Sequence, residues 1–139
     1  MLQFRRLRFK AIFWGVLVDT IGTLTVATAL FLSMAAAGIP EAEIIVRIRG
    51  FSGLMLMLIL GLSFTLIGGY VAGRTAGRVE ILHGAIVAGT GMVLGLFFRE
   101  PNLPLWYEMV SFTAMIPIGM TGGYIAREGN VKRNLTENK

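Results

Sequence analysis

Four apolar runs divide the chain, at residues 11–34, 51–72, 81–98 and 105–126, with short polar clusters between them. Each is continuous rather than alternating at period two, which predicts helices and excludes strands of a barrel. Each also approaches or exceeds the length of about 20 residues that an apolar helix needs to cross a bilayer core. The pattern therefore predicts an all-α integral membrane protein: one domain of four transmembrane helices. A polar cytoplasmic tail is expected over 127–139.

Between the first two runs, "GIPEAEIIVRIRG" carries a helix start at Pro40, Glu41 and Glu43. Ile44, Ile45 and Ile48 share one face. This reads either as a short interfacial helix or as a straight extension of the second span. The last connection, "REPNLPL", is stiffened by Pro101 and Pro104, and Trp106 and Tyr107 follow where an interfacial aromatic belt is expected.

Composition agrees with the pattern. Of 139 residues, 55% are hydrophobic and 15% charged, and the mean hydropathy is +0.70. A soluble domain carries about 25% charged residues. There is no cysteine and one histidine, which excludes a disulfide framework, a thiolate metal site and a multi-histidine site within one chain. No metal or cofactor is expected.

The net charge of +5 is a topology signal rather than a nucleic-acid signal, because the basic residues stand at the ends of the apolar runs. Arg5, Arg6, Arg8 and Lys10 precede the first run. Arg74 and Arg78 lie between the second and third, and Arg127, Lys132, Arg133 and Lys139 follow the fourth. Only Arg47, Arg49 and Arg99 fall on the other side. The positive-inside rule then places both termini in the cytoplasm, in an inner membrane. Arg5, Arg6, Arg8, Arg74 and Arg78 are expected at lipid headgroups, with anionic lipid as a partner. The first run is longer than a signal-peptide core and contains Asp19, so it is expected to remain as a span.

Glycine is unusually regular. Gly61, Thr65, Gly69, Gly73 and Gly77 recur every fourth residue, and Gly84, Ala88, Gly91 and Gly95 form a second series. On helices each series makes a stripe, and Gly119 and Gly123 add a third. Small residues let helices approach closely in lipid, where no hydrophobic drive brings them together. These positions are expected as helix-packing surface. A phosphate loop is not, since no Gly-Lys-Ser/Thr follows. Gly68-Gly69-Tyr70 and Gly122-Gly123-Tyr124 also match at an offset of 54, and Trp14-Gly15 with Gly22 matches His83-Gly84 with Gly91 at an offset of 69. This predicts two parallel helical-hairpin repeats.

"GGYVAGRTAG…LHGAIVAG" resembles the second-to-third-span corner of the YrzE-like group of small four-span bacterial and archaeal membrane proteins, in Gly68, Gly69, Gly73, Arg74, Gly77, His83 and Gly84. The resemblance implies the four-span layout and no particular activity.

Asp19 is the most informative polar residue. It lies about 13 Å inside the edge marked by Lys10, near the midplane. An aspartate there costs about 2.5–3.5 kcal/mol on insertion scales and faces the protein interior. One reading is a neutral aspartate acting as interhelical glue; the other is a proton-coupling carboxylate. Counting depth along the helices pairs it with Thr65 or with the Thr113 carbonyl freed by Pro117. His83 reads as an interfacial histidine capped by Glu80 or a backbone carbonyl, or as a pH sensor passing a proton towards Asp19. No nucleophile, base and orienting group assemble, so no enzyme is expected. The expected function is association, as a homo-oligomer or as an accessory subunit of a larger membrane complex. The alternative is a dimeric proton-coupled transporter or channel for a small solute, using Asp19.

Overall fold

The computed structural model describes residues 7–98 and 101–137. Five helices follow in order: α1 (Phe9–Ala36), α2 (Glu41–Arg49), α3 (Phe51–Ala76), α4 (Glu80–Phe97) and α5 (Leu105–Glu137). Among the described residues there is no strand. Helices α1, α3, α4 and α5 are long and apolar enough to cross a membrane. Even the shortest, α4, has 18 residues and spans about 27 Å.

Local sequence sets the breaks. Gly77 ends α3 in the left-handed region, φ 65°, its N–H donating to the Gly73 carbonyl, as glycine does at a helix C-terminus. Gly77 is therefore a cap; a Cβ there would meet nothing, so it is not packing surface. Gly50, extended at φ −65° and ψ 160°, separates α2 from α3. A Cβ on Gly53 would strike the Arg47 and Ile48 carbonyls, so α2 folds over the first turn of α3. Of the two readings of this segment, the straight extension is excluded. Ile44 is the residue α2 buries.

Helix α3 is central and packs on α1, α2, α4 and α5. Helix α4 also packs on α1 and α5, while α1 and α5 do not touch among the described residues. The four long helices thus form a diamond with α1 and α5 at opposite corners. The start of α1, the α3–α4 corner at 77–79 and the last turns of α5 share one end, called here the corner end; α2 lies at the other. The segment expected as a polar tail instead continues α5 as helix to Glu137.

The corner half of the bundle is packed through small residues. A Cβ on Gly68 would lie 2.6 Å from the Gly15 carbonyl oxygen on α1. One on Gly69 or on Gly84 would strike the Gly119 backbone on α5. One on Gly73 would lie 2.8 Å from the Ala126 Cβ, and one on Gly119 would lie 2.6 Å from the Ala88 Cβ. Gly123 abuts the Glu80 carbonyl. The other half differs. A Cβ on Gly61 meets nothing, and one on Gly95 only grazes the Phe112 ring at 3.7 Å. These two stripe positions do not pack on a neighbouring backbone, because the helices have separated there around a cavity.

One backbone feature of the corner yields a stability prediction. Val79 sits at φ 45° and ψ 41°, a left-handed conformation that is an outlier for a β-branched side chain. Val79→Gly is expected to raise stability by about 1 kcal/mol, read as a higher midpoint of thermal unfolding in detergent. A lower midpoint would mean that the side chain's packing outweighs the strain.

Candidate functional site

The cavity lies between all four long helices in the half away from the corner, with a volume of about 390 Å³. Asp19 and Thr65 form part of its wall, with Thr20 and Thr23 on α1 nearby. Gly61 and Gly95 provide its space, Gly91 lies close against Asp19 and Met115, and Tyr107, Glu108 and Ser111 line it on α5. Leu58, Leu62, Leu94, Phe112 and Met115 make most of the remainder apolar. Phe98, 83% exposed, lies at its end farthest from the corner. The volume falls within the range of about 300–1,000 Å³ usual for small-molecule sites.

Asp19 is only 5% exposed. Its Oδ1 lies 3.0 Å from the Thr65 hydroxyl, and that hydroxyl lies 3.2 Å from the Gly61 carbonyl oxygen. The Thr65 hydroxyl therefore stands between a carboxyl oxygen on α1 and a backbone carbonyl of its own helix, and links α1 to α3 inside the span. Oδ2 points towards α4: a Cβ on Gly91 would lie 3.0 Å from it and 3.1 Å from the Met115 methyl.

Thr113 does not join this site. It is exposed on α5, as is Pro117, because α5 turns Met115 and Gly119 inward. A position two residues from Met115 lies about 200° round the helix. The expected Asp19–Thr113 bond is therefore absent, and Thr65 is the partner.

His83 belongs to a different place. It is fully buried. Its Nε2 accepts the Arg8 backbone N–H at 3.1 Å, and its Nδ1 lies 3.0 Å from the Val79 carbonyl oxygen. The two bonds together require a proton on Nδ1 and none on Nε2, the neutral ring in one tautomer. His83 thereby caps the N-terminus of α1, satisfying a backbone donor left over at a helix start. Neither ring nitrogen faces Asp19, and Glu80 is not its cap.

Glu80 instead accepts a hydrogen bond from the Asn130 side-chain amide at 3.1 Å. The same amide lies 3.4 Å from the Gly73 carbonyl oxygen, and Asn130 Oδ1 accepts from Arg74 Nη1 at 2.9 Å. Arg74, expected at the headgroups, thus spends this donor on α5. Arg78 and Arg8 are exposed; Arg5 and Arg6 lie outside the described residues. Asn130, 4% exposed, is the residue that sequence reasoning missed, and with it the true partner of Glu80, 8% exposed. Asn130 sits in a segment whose composition reads as a tail. Among the described residues, no group of three His, Cys, Asp or Glu side chains is placed to hold a metal.

Fold and site together define a multi-pass α-helical membrane protein with a carboxylate-floored internal cavity. Comparison with protein-family models, curated proteins and solved structures finds no match to the chain.

Proposed function

We propose that the chain is a non-enzymatic inner-membrane protein that admits a small solute to the central cavity and exchanges it against a proton on Asp19. The observation that carries this reading is the position of Asp19: buried, bonded to Thr65, and lining a cavity made by one chain. An ionisable residue inside a membrane span marks a substrate or proton path by default. Both termini and the corner at 77–79 face the cytoplasm in this reading, because the basic residues collect at that end. The cavity then opens to the opposite side. The repeat pattern and the YrzE-like resemblance support the architecture and add no chemistry.

The absence of cysteine makes the test direct. In sealed vesicles, Gly61→Cys and Gly95→Cys are expected to react with a membrane-impermeant thiol reagent added from the outer side. Ile116→Cys, on the outward face of α5, is expected to react about tenfold more slowly or less, as a lipid-covered position. Equal inertness of all three would remove the reading.

The association reading retains one observation in its favour. Over its most apolar window α1 is 11% buried, against 22% to 28% for the other three spans. Phe13, Ile21 and Leu24 on α1 are largely exposed, a surface that a second copy would cover. A native mass of one chain in mild detergent would remove this second reading.

A further inference from the structure

We propose that the solute of this cavity is uncharged and mostly hydrocarbon, held against Leu58, Leu62, Leu94, Phe112 and Met115. The inference rests on the solute-admitting part of the reading above and names the chemistry of what enters.

Three observations carry it. First, the free space has an apolar boundary. It lies where a Cβ on Gly61 would meet nothing and one on Gly95 would only graze the Phe112 ring. Leu58, Leu62, Leu94, Phe112 and Met115 line it there. Gly61 stands ten residues inside α3 from its start at Phe51, about 15 Å into the span. A buried water needs about 2–4 polar partners, so this part of the wall suits carbon better than water.

Second, the two carboxyl side chains of the described wall are already engaged. Asp19 Oδ1 is bonded to the Thr65 hydroxyl, and Oδ2 lies close against Gly91 and Met115. Glu108 has a partner of its own within the chain. Ser111 donates to the Tyr107 carbonyl. Around Gly61 an ion would therefore leave water without a partner among the described side chains, which is costly. The solute and the proton on Asp19 then share a wall without touching.

Third, the size suits a small organic molecule. An apolar cavity of about 150 Å³ holds one benzene. At about 390 Å³, this one has room for a substituted ring or a short alkyl chain. The same chemistry is carried by a free molecule and by the acyl chain of a lipid, and the test separates these two sources.

The full chain in sealed vesicles is exposed to two photoactivated probes. One is free phenyl-trifluoromethyl-diazirine; the other is a phosphatidylcholine with a diazirine at the end of one acyl chain. Adducts are counted by mass spectrometry on α5, at Phe112 and Met115 inside the cavity and at the exposed Val110 and Ile116 outside it. The free probe is expected to label both pairs. Benzyl alcohol is expected to reduce the inner pair alone by about tenfold, and benzenesulfonate and benzyltrimethylammonium are not. Gly61→Leu fills the space where a Cβ meets nothing and is expected to reduce inner labelling to the same extent; Gly95→Leu is a second filling variant. Inner adducts from the lipid probe as well would name an acyl chain as the source, and inner adducts from the free probe alone a dissolved solute. Equal protection by either ion would overturn the proposal, as would inner labelling unchanged in both filled variants. An inner pair that neither probe reaches would overturn it too. In that case, reaction of Gly61→Cys with the impermeant thiol reagent would show that only the hydrocarbon assignment fails. Inertness of Gly61→Cys would remove the solute-exchange reading with it.

Discussion

Gly84→Leu is expected to yield a chain that no longer assembles its bundle. Gly84 on α4 lies directly against the Gly119 backbone on α5, and even a Cβ there would collide with the carbonyl oxygen and approach the Gly123 nitrogen at 3.2 Å. The obstacle is backbone, not the movable end of a side chain, so it cannot swing aside. Overpacking a tight seam costs about 1–3 kcal/mol and occasionally more. The smaller change, Gly84→Ala, is expected at about 3 kcal/mol, the top of that range. Four additional carbons place Gly84→Leu beyond what a net stability of about 5–15 kcal/mol absorbs while keeping α4 on α5. The contrasting variant is Gly61→Ala. A Cβ at Gly61 meets nothing, and alanine gains about 1 kcal/mol of helix propensity over glycine. Unfolding in mixed micelles should therefore separate two glycines that look alike in the sequence. Equal behaviour of Gly84→Ala and Gly61→Ala would mean that the α4–α5 seam is not set by backbone approach.

That contrast shows what was legible. The long helices could be read because a span requires a continuous apolar run, and Gly50, Gly77 and the prolines near 101–104 punctuate them. A stripe of small residues specifies a face of a helix, but not what lies opposite. The spacing at Gly61 is the same as at Gly69, yet one faces empty space and the other the Gly119 backbone. Depth counting has a matching weakness: it gives height along a helix and not rotation about it. Thr65 and Thr113 were candidates at comparable depth, but only Thr65 is turned towards Asp19. The extension of α5 was illegible for another reason. Glu128, Asn130 and Lys132 have the composition of a solvated tail, and the side chains that hold Asn130 lie fifty or more residues earlier in the chain.

Asn130→Leu is the second large effect expected. Leucine keeps the number and branching of the side-chain heavy atoms, is somewhat bulkier, and removes every polar atom of the side chain. Arg74 Nη1 then loses its acceptor, and Glu80 Oε1 and the Gly73 carbonyl lose the amide. A buried polar group left unpaired costs about 1–3 kcal/mol, and more when charged. With Glu80 8% exposed, the variant is expected to lose about 3 kcal/mol, measured by unfolding in mixed micelles. Asn130→Asp separates polarity from packing. It retains an acceptor for Arg74 but sets a carboxyl oxygen against Glu80 where a donor stood. It should destabilise comparably, and adding Glu80→Gln should recover part of the loss by returning an amide to the pair. The coupling from this double-mutant cycle is expected at about 1–3 kcal/mol. Additivity within about 0.5 kcal/mol would mean that the two side chains do not share a bond. Because Asn130 joins α5 to both α3 and α4, this cluster and the glycine seams close the same half of the bundle. The two together leave the space between the helices to the other half, where Gly61 and Gly95 meet little.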